Sequence, residues 1–160
     1  MLLRSAFAML HLVPLVGASQ NDTLTVRVHH SGGDARVTFG EMRTLTQRTA
    51  TIASHDGVEA AYEGAWLMDI LKMNSASIAA IEKRTMVRSY VRVEAADGYN
   101  AIIALAETDT SFRQRPVILA WKKNGQPLDN HDGPFQLIVP DDMRHARDVR
   151  QVTVLEVITP

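Results

Sequence analysis

Residues 116–157 read Pro-Val-Ile-Leu-Ala-Trp-Lys-Lys-Asn-Gly-Gln-Pro-Leu-Asp, then Asn-His-Asp-Gly-Pro-Phe-Gln-Leu-Ile-Val-Pro, then Asp-Asp-Met-Arg-His-Ala-Arg-Asp-Val-Arg-Gln-Val-Thr-Val-Leu-Glu-Val. Three apolar runs stand out, Val117–Trp121, Phe135–Val139 and Val152–Ile158. Each has the length and β-branched content of a strand. Asn124-Gly125 lies between the first two, and both residue types tolerate positive φ, so a tight hairpin turn is expected there. Before the third run sits the densest basic cluster of the chain: Arg144, His145, Arg147 and Arg150. Guanidinium groups beside a sheet edge suit an anion such as a phosphate, and they also suit an ordinary solvated loop.

The remainder of the chain reads as further strands with short helices between them. Leu24–Val28 alternates apolar and polar residues, the pattern of a half-buried strand. Arg36–Phe39 follows as a short strand, and Gly40–Leu45 as one helical turn with Phe39, Met42 and Leu45 on one side. Thr49–Ala53 and Val58–Glu63 form a hairpin across Asp56-Gly57. Helices are expected at about 65–73, from Leu67, Ile70 and Leu71 at helical spacing, and at 77–84, through Ile78 and Ile81. Val87, Ser89, Val91 and Val93 alternate with Arg88, Tyr90, Arg92 and Glu94, and Asp97-Gly98-Tyr99 turns that strand back onto Ala101–Leu105. Ala106–Phe112 reads as a short helix or turn. Strands outnumber helices, which gives the α+β class with a mixed, curved sheet.

Composition narrows the function classes. The chain has 160 residues, 17 basic and 18 acidic, for a formal charge of −1. That balance gives no reason to expect nucleic acid as a partner. Cysteine is absent, so thiolate catalysis and cysteine metal sites are excluded. The six histidines make no spaced metal motif. Arg4 followed by the apolar run Ala6–Ala18 and by Gly17-Ala18-Ser19 has the layout of a cleaved leader over residues 1–19, leaving a domain over 22–160. The run is shorter than the roughly 20 residues that span a bilayer, so a periplasmic or secreted protein without stable membrane insertion is expected. Asn21-Asp22-Thr23 is a glycosylation sequon on paper only.

Five segments in order carry a resemblance. They are Tyr62-Glu63-Gly64-Ala65-Trp66-Leu67-Met68-Asp69-Ile70-Leu71, Val93–Ala101 with its Asp-Gly-Tyr, Leu119-Ala120-Trp121 with the following Asn-Gly and Pro-Leu, Asp132-Gly133-Pro134-Phe135 with Leu137-Ile138-Val139-Pro140, and Ala146-Arg147 with Val149-Arg150-Gln151-Val152. Together they resemble the oxidoreductase molybdopterin-binding domain of the sulfite oxidase family, in its small exported form, over about residues 36–158. The resemblance implies a sulfite-oxidase-like fold and a pterin phosphate cofactor. In family members that work as enzymes, a cysteine near the loop of His55 supplies the thiolate to molybdenum; here that loop is Ala53-Ser54-His55-Asp56-Gly57. The segment after the Val-Pro strand is implied to contact the cofactor's phosphate, with Arg144 and Arg147 on those positions, and Asp148 stands where the family often has Trp. The site residues expected are therefore Arg144, His145, Arg147, Arg150, His55, Asp97 and Tyr99, with no catalytic residue and no metal ligand among them.

Three readings stay open at this point: a pterin-cofactor domain of a molybdopterin-dependent oxidoreductase, a ligand-binding or partner module of the same fold, and a structural domain. The absent cysteine favours the module. Its implied partners are an anionic small molecule or a redox or sensor protein.

Overall fold

The computed structural model describes residues 23–28, 33–53 and 57–160, with the backbone alone for 23–28 and Gly33. The expected leader, the sequon asparagine and His55 lie outside the described residues. The chain order begins with β1 (Thr23–Val28), β2 (Gly33–Thr38), α1 (Phe39–Met42), β3 (Arg48–Ala53), β4 (Glu59–Trp66) and α2 (Leu67–Lys72). Single helical turns α3 (Ala76–Ala79) and α4 (Lys83–Met86) follow, then β5 (Tyr90–Ala95) and β6 (Asn100–Ala104). The last part holds β7 (Ile118–Lys123), β8 (Gln126–Pro127), β9 (Gln136–Ile138) and β10 (Val152–Ile158). Two short 3-10 turns lie at Leu105–Thr108 and His145–Arg147. The class is α+β, mostly strand with a few short helices.

The strands divide between two five-stranded sheets. The first has the order β2-β1-β10-β5-β6 and is mixed, because β1 runs parallel to β10 while the other pairs are antiparallel. The second has the order β3-β4-β7-β8, with β9 paired to β7, and is antiparallel throughout.

The alternation along β7 shows how the sheets share a core. Val117, Leu119 and Trp121 point into the main core with Val91, Val93, Leu155 and Val157 of the first sheet. Ile118 and Ala120 point the other way, into a smaller cluster with Ala50, Ile52, Tyr62 and Ile138. A strand buried on both faces reads as a continuous apolar run, and Val117–Trp121 does. Between Glu63 and Gly64 the register of β4 on β7 shifts by one residue. Gly64 sits there because nothing larger fits: a Cβ on it would lie 2.0 Å from the Leu119 carbonyl oxygen.

Several expected boundaries move, each for a local reason. The helix expected at 65–73 is Leu67–Lys72, because Ala65 and Trp66 are held in β4 opposite Leu119 and Ile118. The helix expected at 77–84 is two separate turns, since Glu82 is extended at φ −69°, ψ 148°. The strand expected from Val87 starts at Tyr90. Val87 is exposed, while the Ser89 hydroxyl donates to the Thr85 carbonyl at 2.8 Å and so closes the preceding turn. The turn at Asn124-Gly125 is formed with φ values of 52° and 79°, and Asn124 pins it to β4 by hydrogen bonds in both directions with the backbone of Ala61.

Candidate functional site

A cavity of about 360 Å³ opens between the outer face of the second sheet and the tip of the β5–β6 hairpin. β3 and β4 contribute Ile52 and Tyr62, the end of β7 contributes Lys123, and β9 contributes Gln136. Ala95, Asp97 and Tyr99 come from the hairpin, Asp132 from the loop before β9, and His145, Ala146, Asp148 and Arg150 from the segment leading into β10.

Asp132 is the hub of the polar side. It is buried, at 7% exposure, and both cations of the cavity face it. Arg150 Nε lies 3.0 Å from Asp132 Oδ1 and Lys123 Nζ lies 3.7 Å from Oδ2. His131 Nδ1 is 3.0 Å from the same carboxylate from outside. Lys123 also stands over the Tyr62 ring, 5.5 Å from its centroid. Burial pulls the Lys123 ammonium down, but its contacts to Tyr62 and Asp132 outweigh that and hold it above its ordinary value. Asp129 braces the loop by accepting the backbone N–H groups of His131 and Asp132 at 3.0 and 2.9 Å. These bonds, the Asp132 one first, keep its carboxyl below the usual range.

The opposite wall is the turn at His145–Arg147. Tyr99 Oη donates to the Ala146 carbonyl at 2.5 Å. Asp148 accepts the Val139 N–H at 2.8 Å and faces His145 Nδ1 at 2.9 Å. Burial pushes the Asp148 carboxyl up, against the lowering effect of those two bonds. Gln136 is 4% exposed, and its Oε1 is buried without a hydrogen-bond partner. An acceptor left bare in this way costs on the order of 1–3 kcal/mol unless something donates to it.

Of the residues expected at a site, the fold brings Asp97, Tyr99, His145 and Arg150 to this cavity. It does not bring Arg147. Arg147 donates through Nε and Nη2 to the two oxygens of Asp142 at 2.7 and 2.6 Å and through Nη1 to Glu107 at 2.9 Å. Asp142 and Glu107 hold its guanidinium far above the working range, so it is a permanent structural cation. Arg144 is exposed and lies outside the lining. His55 falls outside the described residues.

The basic cluster therefore does not make a basic cavity. Two cations, Lys123 and Arg150, face three carboxylates, Asp97, Asp132 and Asp148. Sequence reasoning missed Tyr62, Lys123, Asp132 and Gln136 as members of one site, while Asp148 stood out only as an acid where the resembled family often has Trp. Of the four missed, Gln136 alone left a signal, as the single polar residue inside the apolar run Phe135–Val139.

Among the described residues, Asp129, His131 and Asp132 are the one group with ligand atoms close enough to hold a metal ion. Arg150 and Lys123 already face the Asp132 oxygens, and a further positive charge there would be repelled by both. No helix among the described residues is long and apolar enough to cross a membrane.

Comparison with known proteins agrees with this architecture. In the solved sulfane dehydrogenase SoxCD from Paracoccus pantotrophus, a similar fold superposes with a TM-score of 0.62 at 16% identity, over 86% of this chain and 38% of that one. The chain thus spans well under half the length of that relative. No curated protein matches the chain. Residues 15–159 match the oxidoreductase molybdopterin binding domain, nearly the whole sequence, and the chain belongs to that family.

Proposed function

We propose that this chain is an exported ligand-binding or partner module of the molybdopterin-binding fold, without redox turnover of its own. The observation that carries the reading is the donor set. A molybdenum–dithiolene centre takes a soft thiolate from the protein, and the chain has no cysteine. The residues present therefore do not fit the metal, and no reaction step is assigned through it.

They do fit, in kind, a polar heterocycle such as a pterin. The buried Gln136 Oε1 needs a donor, and a pterin ring carries N–H groups at its edge. Tyr99, half exposed at the cavity rim, offers a flat apolar face. Arg150 and Lys123 pair with the Asp132 carboxylate as ions, and His131 Nδ1 lies 3.0 Å from it, so this polar wall is preorganised. The balance of charge favours recognition through hydrogen bonds over capture of a polyanion. The apolar pattern of residues 1–19 supports export, and a redox or sensor protein is the partner class that the family suggests.

A titration tests the ligand reading. Full-length protein is mixed with a pterin monophosphate at low salt, with guanosine monophosphate as the comparison ligand, and heat of binding is recorded. Gln136→Leu should weaken pterin binding about tenfold, as expected for one buried hydrogen bond. Arg144→Ala should leave it unchanged. Equal affinity of wild type and Gln136→Leu, or no binding by either, overturns the cavity assignment.

A further inference from the structure

The outer face of the second sheet carries a second depression, a groove of about 390 Å³ at the end away from Lys123 and Asp132. Arg48, at the start of β3, and Trp66, at the end of β4, form one side; Gln114, Arg115, Pro116 and Pro140 form the other. Arg48 stands over Trp66, with its guanidinium carbon 3.8 Å from the ring centroid. At that distance the cation is attracted to the face of the indole.

What sets Arg48 apart from the other arginines with a buried, unbonded N–H is that no carboxylate faces it among the described residues. Its Nε is buried and donates to nothing among the described residues. Arg92 and Arg113 also bury an N–H without a hydrogen bond, but each faces carboxylates: Arg92 those of Glu94 and Glu156, Arg113 those of Glu107 and Asp141. Arg48 has no such carboxylate among the described residues. The other cation lining the groove, Arg115, is paired with Asp141 at 3.0 Å and donates to the Thr51 carbonyl at 3.0 Å. Among the described residues Arg48 is left without a counter-charge, held over an aromatic ring and facing a groove lined by a second arginine.

We propose that this groove is a binding site for a small oxyanion, a phosphate, sulfate or carboxylate group, held by Arg48 with Arg115 beside it. The planar fork of a guanidinium matches two oxygens of such an anion. The apolar floor of Ala50 and Ile118 would take the body of an organic anion. The site shares no residue with the cavity described above, so it stands whether or not that cavity binds a pterin.

The test is nuclear magnetic resonance on the full chain, titrated separately with sodium phosphate, sodium sulfate and sodium acetate at constant ionic strength. The Trp66 indole N–H and the Arg48 Nε–H are the reporters. We expect both resonances to shift saturably, and Arg48→Met to weaken the Trp66 response about tenfold or more, the effect of one charge-assisted contact. Arg48→Lys keeps the charge without the fork and should fall between the two; it also serves if the methionine variant does not fold. Stronger binding of phosphate and sulfate than of acetate assigns a tetrahedral anion, and the reverse assigns a carboxylate. Shifts that do not saturate, or that are the same in wild type and both Arg48 variants, overturn the site.

Discussion

Asp142 and Asp148, six residues apart, are shifted in opposite directions although burial raises both carboxyls, and the difference is measurable. Asp142 is held below its ordinary range chiefly because Arg147 donates to it, burial opposing. An acid held low in the fold stabilises it fully above its ordinary value of 3.8 and loses that contribution as pH falls through the folded value. Asp148 is raised, mainly by burial, so its neutral form suits the fold better and its contribution fades as pH rises through its folded value. Melting temperature should therefore drop below about pH 4 in the wild type. Asp142→Asn should melt lower at neutral pH and show a flatter acid limb; parallel curves would show that the Asp142–Arg147 pair carries no pH dependence. At this scale the sequence is partly legible. Asp97, Tyr99, His145 and Arg150 stand out through turns and a basic cluster, and they line one cavity. Arg147 is equally basic on paper, but its surroundings are Asp142 and Glu107, and Glu107 is distant in sequence. Lys123 and Asp132 are invisible as a pair, since only the fold of β7 against the loop before β9 brings them together.

Among the elements, strands are easier to read than helices because their alternation survives packing on either face. Val152–Ile158 and the hairpin at Asn124-Gly125 form as their patterns imply. The helices fragment because each is too short to impose its own geometry; Glu82 breaks one, and β4 claims the first residues of another. The helical face itself is as the spacing implies: Leu67, Ile70 and Leu71 are fully buried on α2. Leu71→Ala should cost about 2–5 kcal/mol in a urea melt, and an unchanged midpoint would move α2 out of the core. Gly64 tests the bulge between β4 and β7. Its surroundings are backbone atoms: a methyl carbon added to it would lie 2.6 Å from the Ala120 Cα, with the Leu119 oxygen nearer still. Backbone cannot rotate away, so Gly64→Ala should destabilise by about 1–3 kcal/mol or more. A neutral effect on the same melt would contradict the close approach of the two strands.

For the whole molecule, the two sheets share one main core and leave the outer face of the second sheet to two depressions of different character. One is preorganised around a buried carboxylate, Asp132, and carries an unmet acceptor on Gln136; the other carries, on Arg48, a cation with no carboxylate facing it among the described residues. The fold class is readable because five motifs in order resemble one family and nearly the whole chain matches it. Function is less readable, because the thiolate that defines the enzymes of the resembled family has no counterpart among 160 residues. Export adds a separate expectation: mass spectrometry of secreted or periplasmic material should find a chain starting near Gln20, and an intact Met1 would contradict it. The central claim is that the molybdopterin-binding fold operates here without molybdenum chemistry. The measurement that meets it most directly is elemental analysis of protein purified from its native compartment, with molybdenum counted per folded chain. The account predicts far less than one atom per chain and no sulfite-oxidising turnover; stoichiometric molybdenum in active protein would contradict it.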